Sequence, residues 1–224
     1  KSNIMGFYRG PNIVTDGLLF AVDPGSARSY PGSGTTTTNI INGASGTLTN
    51  GVAYVSNNGG AFDFDGSDDY ILFPDDTNLN LQTLTMESWS YLNSTGQYAF
   101  LFEKGLVNTQ YSNFFEGSYF VFRTMGGGGV DISVVASNMP ANAWNHIVCT
   151  YGSSTKKIYV NGVQVNSATY TGTIATNTGG PRIGAHSSGY YLDGEIAVSR
   201  VYNKALTAAE VLQNFNAQKS RFGL

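Results

Sequence analysis

A single cysteine, Cys149, stands in 224 residues, which excludes an internal disulfide and a thiolate metal site. Histidine is nearly as scarce, and His146 and His186 lack the close spacing of a zinc pair. Neither forms a recognisable Ser-His-Asp or Cys-His constellation with its neighbours in sequence. Charged residues make up only 12% of the chain, roughly half the usual share. Twelve basic against fifteen acidic residues, with no basic block, leave no electrostatic footprint for nucleic acid. The longest clean apolar run, Leu18 to Val22, is far short of the ~20 residues of a membrane helix. No basic-flanked apolar segment opens the sequence, so a signal peptide is not expected.

What is present points to β-structure. Gly stands at 28, and Ser, Thr and Asn at 21 each, a neutral and turn-rich composition. Leu, Ile, Val and Phe together number 54, enough for one sizeable core in one domain. Short apolar or alternating runs separated by Gly, Asn, Asp and Ser recur from Leu18 to Tyr202, the pattern of an all-β sandwich. The expected strands are Leu18–Val22, Ala61–Asp65, Tyr70–Phe73, Leu84–Leu92, Tyr98–Glu103, Ser118–Thr124, Val130–Ala136, Trp144–Tyr151, Lys157–Val160, Val163–Val165, Arg182–Ile183 and Gly194–Tyr202. Asn161-Gly162 between two β-branched runs predicts a type I′ hairpin, since both residues tolerate positive φ. Gly126 to Gly129 are expected to link two strands, because no helix pattern follows them.

One helix is signalled, over Ala208–Gln218. Thr207 and Glu210 form a capping box, Leu206 and Val211 a hydrophobic staple, and Leu212 with Phe215 an apolar stripe. Residues 24–60 carry Pro-Gly, a threonine run and three Asn-Gly pairs, and are expected to form a surface excursion with one strand at Val52–Val55. Residues 1–15 place Ile4, Met5, Phe7, Tyr8, Ile13 and Val14 before the first core strand, which predicts a docking arm. The expected organisation is this arm, a domain over residues 16–218, and a tail over residues 219–224.

Four segments resemble a known family. Ala61–Ile71 (AFDFDGSDDYI) resembles the FDG-x-DDY-I stretch of laminin-G-like, concanavalin A-like jelly rolls. Leu84–Leu92 (LTMESWSYL) looks like that family's Trp strand, and Trp144–Val148 with Ile158–Val163 resembles its W-x-H-V…LYVNG-V hairpin. Leu192–Thr207 looks like the closing strand and helix entry. The fold implied is an antiparallel β-sandwich, a concanavalin A-like jelly roll with one short C-terminal helix. In addition, Asp16-Gly17-Leu18, Ser29–Thr36 and Gly46–Gly51 resemble the leader of laminin-G-like domains in tailed-phage virion proteins. Thr38–Ser45 stands where such leaders often carry a Trp and a D-L-S-G-N-G-N segment. The resemblance implies a virion structural accessory, a capsid decoration or fibre component on the virion surface, with other virion proteins and copies of itself as partners. The alternative it implies is a carbohydrate-binding or adhesion module of a phage or bacterial surface protein, since related leaders also occur in bacterial surface proteins, placed at the bacterial cell surface or outside the cell.

Several residues are candidates for chemistry. Asp63, Asp65, Asp68 and Asp69 are the densest carboxylate cluster, and Ca²⁺ takes six to eight oxygens of this kind. The family resemblance implies such an ion at a sandwich edge; the same residues also read as a strand–turn–strand around Asp65-Gly66, with no cofactor. Glycoside hydrolysis needs two carboxyls flanking the scissile bond. Jelly-roll glucanases resembling this fold set them on one strand as E-x-D-x-E, where alternation aims them into one cleft. None of the five glutamates is followed two places on by Asp, and Asp193-Gly194-Glu195 lacks a third carboxylate. The expectation is therefore a protein that is not an enzyme. Trp89, Trp144 and Cys149 read as core, and the family hairpin implies a structural hydrogen bond for His146. Loop aromatics are the candidates for partner or sugar contact: Phe7 and Tyr8 in the arm, Tyr111, Phe114 and Phe115 in a loop from Leu106 to Gly117, and Tyr190 and Tyr191 after Ser187-Ser188-Gly189.

Overall fold

The computed structural model describes residues 11–105, 110–126 and 131–224. Along the chain the strands are β1 (Leu18–Val22), β2 (Thr36–Thr38), β3 (Ser45–Thr49), β4 (Ala53–Val55), β5 (Ala61–Asp65), β6 (Tyr70–Leu72), β7 (Leu84–Leu92), β8 (Tyr98–Lys104) and β9 (Tyr111–Glu116). There follow β10 (Tyr119–Thr124), β11 (Ile132–Val135), β12 (Trp144–Gly152), β13 (Thr155–Val160), β14 (Val163–Thr169), β15 (Pro181–Ile183), β16 (Ala185–His186), β17 (Gly189–Tyr191) and β18 (Asp193–Tyr202). One α-helix, α1, spans Ala208–Gln218.

Two antiparallel sheets face each other. Sheet A runs β14-β13-β12-β7-β18-β5-β4, with β1 also on β18; sheet B runs β11-β10-β9-β8-β15-β6-β3-β2. The strands of β16 and β17 form a separate hairpin. Period-two alternation fills the space between the sheets: Phe62 and Phe64 of β5, Met86 of β7, and Phe120 and Phe122 of β10 point inward. Fully burying each such side chain contributes roughly 1.5–3 kcal/mol, so this layer is the main stabilising feature. The expected I′ hairpin joins β13 to β14, with Asn161 at φ 49° and Gly162 at φ 81°.

The outer face of sheet A is covered in part. Helix α1 starts from the expected capping box, with Glu210 N–H donating to Thr207 Oγ1 (3.3 Å) and Thr207 N–H to Glu210 Oε2 (2.8 Å). The helix buries Val211 and Asn214; of the expected stripe, Phe215 is half-buried against Trp89 at 5.8 Å, whereas Leu212 is 45% exposed. A step of about 100° per residue carries position 212 off the face shared by 211, 214, 215 and 218. The expected tail is a packed 3₁₀ turn at Lys219–Phe222. Phe222 stacks on Trp89 at 4.2 Å, and Arg221 donates twice to the Asp23 carboxylate (3.0 and 2.9 Å). The described end of the arm lies on the chain's own helix: Val14 is buried and its N–H donates to Asn214 Oδ1 (2.7 Å). Phe7 and Tyr8 lie outside the described residues, as do Gly127–Gly129 of the glycine link.

The excursion at 24–60 holds more strand than expected, since β2 and β3 join sheet B there in addition to β4 on sheet A. The segment expected as a loop around Tyr111, Phe114 and Phe115 is instead strand β9, in the middle of sheet B. No helix among the described residues is long and apolar enough to cross a membrane.

Candidate functional site

Among the described residues, the outer face of sheet B, unlike that of sheet A, carries no α-helix. Its side chains are fixed by register. Tyr98 of β8 lies opposite Glu116 of β9, which lies opposite Tyr119 of β10, which lies opposite Val135 of β11. Directly paired residues in antiparallel strands point to one face. Their chain neighbours Ala99, Phe115, Phe120 and Val134 fill the core, so this row faces outward. Tyr98 is 46% and Tyr119 52% exposed. Tyr98 donates its hydroxyl to Glu116 Oε1. Behind the row, Phe100 and Phe114 stack at 4.4 Å, and Arg123 lies 4.7 Å from the Phe114 ring.

The hairpin β16–β17 rises beside this row. Tyr190, 50% exposed, lies 5.0 Å from the Tyr98 ring and sits at φ 68°, a region bulky residues rarely occupy. Such local strain persists only where surrounding contacts hold it. Here Glu103, buried in β8, accepts from Ser187 N–H (2.7 Å) and lies 3.2 Å from His186 Nε2. Burial, then the Arg182 and Arg123 charges, lower the His186 pKa, which favours the neutral ring. A cleft of ≈ 320 Å³ lies beyond Tyr119, lined by Thr95, Gly96, Ser118, Val135, Ala136 and Ser137.

Of the expected contact residues, Tyr190 is on this surface, and Tyr191, its neighbour in β17, is half-buried. Tyr111, Phe114 and Phe115 are buried in β9, so they are corrected from loop contacts to packing residues. Tyr111 donates its hydroxyl to Leu79 O (3.1 Å), and burial pushes its pKa up. Tyr98 and Tyr119 were not expected as site residues. Their signal is phase: each starts a strand one place out of step with the core positions that follow.

The acidic cluster is a second feature, on the β5–β6 turn. One ligand oxygen from each of Asp65, Asp68 and Asp69 lies within 4.8 Å of the others. The turn is held by its own hydrogen bonds, Ser67 N–H to Asp65 Oδ1 (2.8 Å) and Asp65 N–H to Asp69 Oδ2 (3.2 Å). Asp69 is buried and its Oδ1 has no protein partner. Burial raises its pKa, as do the charges of Asp65, Asp68 and Asp63. A buried carboxylate oxygen without a donor, beside two exposed carboxylates, suits a hard cation. Asp63 is set apart: it pairs across strands with Glu195, as Asp65 does with Asp193, placing four carboxylates on the outer face of sheet A. Burial and neighbouring charge raise the pKa of both Asp63 and Glu195.

A third cluster is closed to solvent. Glu87 of β7 accepts from Arg200 Nη1 (2.9 Å), Tyr202 Oη (3.0 Å) and Asn214 Nδ2 (2.8 Å), with His146 Nε2 at 3.0 Å. His146 thus has the structural hydrogen bond expected of it. Burial alone would raise the Glu87 pKa, but Arg200 first, then His146 and Tyr202, hold it at about 2. Trp89 and Cys149 are fully buried, Trp144 nearly so, and burial pushes the Cys149 thiol up.

Residues 65–212 match the sequence profile of the Concanavalin A-like lectin/glucanases superfamily, a laminin-G-like group. The chain belongs to that superfamily. No curated protein matches it in sequence. Among solved structures, this superfamily member is similar to the binding domain of Paraclostridial Mosquitocidal Protein 1, with 17% identity and a TM-score of 0.67 over 90% of this chain and 52% of that one. It is also similar to a botulinum neurotoxin type C structure whose cell entry is described as dependent on two ganglioside molecules (13% identity, TM-score 0.72, 90% and 51% covered). Trypanosoma rangeli sialidase in complex with sialic acid is a further neighbour (15% identity, TM-score 0.68, 95% and 35% covered). The chain spans about half of the toxin domains and about a third of the sialidase. At these identities the likeness is one of fold.

Proposed function

We propose that this superfamily member is a non-catalytic glycan-binding module, displayed on a virion surface and gripping saccharide with the outer face of sheet B. The observation that carries this is the set of three half-exposed tyrosines, Tyr98, Tyr119 and Tyr190, on the sheet face left uncovered by α1. Tyrosine offers large, rigid contact area with a polar tip, at little cost in conformational entropy. The gangliosides and sialic acid named with the toxin and sialidase structures support saccharide as the ligand class. Virion display, with other virion proteins and further copies as partners, is supported by the leader resemblance at Asp16–Gly51; a bacterial cell surface is the alternative. Calcium is the proposed ion for Asp65, Asp68 and Asp69, where it would brace the β5–β6 turn. A glycan array with the purified chain and its Tyr98→Ala variant tests the function. Binding lost in the variant supports it, and silence across the array contradicts it.

A further inference from the structure

The layout and charge of the tyrosine face narrow what it can hold. Tyr98 and Tyr119 stand on β8 and β10 in one register row, with Glu116 of β9 between them. Two strand spacings separate them, about 9.5 Å. Tyr190 lies beside Tyr98, at 5.0 Å between rings, and 6.4 Å from the ring of Phe100, the next outward residue of β8. The result is a strip across the strands. A site for one terminal sugar would instead enclose it in a concavity with convergent polar groups.

Charge is balanced within the face. Arg123 donates from Nε and Nη2 to Asp131 Oδ2 (2.9 and 2.7 Å), and Arg182 lies 4.5 Å from the Tyr70 ring. Two arginines thus face three carboxylates, Glu103, Glu116 and Asp131, with His186 favouring its neutral form. The cleft beyond Tyr119 is lined by hydroxyl and small apolar groups without a charge. With Arg123 held by Asp131 and Arg182 stacked on Tyr70, the face offers an anionic sugar no surplus of positive charge among the described residues.

Resting on the glycan-binding reading of this face, we propose that its ligand is the interior of an uncharged, extended polysaccharide, laid across the strands along Tyr190, Tyr98 and Tyr119. The full chain is tested against β-glucan, xylan and mannan with their oligosaccharide series, and against sialyllactose and heparin, at low and high salt. The expected result is salt-independent binding to at least one uncharged polymer, tightening with oligosaccharide length. Tyr98→Ala and Tyr119→Ala, with melting temperatures unchanged, should each weaken it about tenfold or more. Binding confined to sialyllactose or heparin, salt-sensitive and lost in the same variants, would overturn the uncharged-chain inference and leave the glycan-binding reading standing. Affinity that does not grow beyond a disaccharide would do the same. No saccharide bound, or binding untouched by both substitutions, would overturn the reading and the inference together.

Discussion

Glu87 is the residue on which the outer layer of sheet A depends. Its two oxygens tie together β7, β12, β18 and α1 through His146, Arg200, Tyr202 and Asn214. Replacing one partner of a buried ion pair leaves the other charged and unpaired, at a cost of about 3–5 kcal/mol. Glu87→Ala should therefore lower the melting temperature by on the order of 10 °C. Since the folded pKa is depressed from 4.5 to about 2, its contribution is complete above pH 4.5 and is lost as pH falls towards 2. Acid titration of thermal stability should show that loss in the native chain and a weaker one in the variant. The Asp68 side chain, by contrast, is exposed, and among the described residues it is the backbone carbonyl that accepts a bond, from Asn50 Nδ2. Asp68→Asn should leave stability unchanged in a chelator. Calcium should raise the melting temperature of the native chain, by mass action on the folded state, and not of the variant. Equal melting of the native chain with and without calcium would count against the ion.

At the scale of elements, the sheet-A cover is a clamp of two short pieces. Thr207→Ala removes the helix cap and should cost about 1 kcal/mol. Removing residues 219–224 takes Phe222 off Trp89 and Arg221 off Asp23. It should cost at least the burial of one Phe, roughly 1.5–3 kcal/mol, and shift Trp fluorescence to the red. Unchanged emission would mean that α1 alone seals Trp89. The sequence pattern reached β7 residue for residue, because Leu84, Met86 and Leu92 mark one face and Trp89 and Tyr91 the other, and it reached the capping box, which is purely local. It missed β3, whose inward Gly46 sits against the Phe73 ring, where an added Cβ would lie 2.4 Å from it. Close packing there demands glycine, and glycine reads as turn. It missed β9 because the inward Asn113 between Tyr111 and Phe115 breaks the apolar alternation. The tyrosine strip was legible only at Tyr190-Tyr191, in a turn. Tyr98 and Tyr119 lie in strands, where a large aromatic is usually core; which face they take is fixed by the strands they pair with.

The two outer faces of the whole molecule are unlike, and this bears on catalysis. Glycoside hydrolysis requires a proton donor and a second carboxylate flanking the bond. The paired carboxylates with raised pKa, Asp63 and Glu195, lie on the outer face of sheet A. The tyrosine strip lies on the outer face of sheet B, across the full thickness of the sandwich, so a chain bound along it cannot reach them. The carboxylates beside the strip are already engaged: Glu116 by Tyr98, Glu103 by Ser187 and His186, and Asp131 by Arg123. Purified protein should therefore bind polysaccharide without releasing reducing ends, over hours and across pH 4–8, a range spanning the ordinary carboxylate and imidazole pKa values. Glu195→Gln and Glu116→Gln separate the alternatives. Turnover abolished by Glu195→Gln would place a catalytic centre on sheet A, and turnover abolished by Glu116→Gln would make the tyrosine strip an active-site cleft; either result would end the non-catalytic reading.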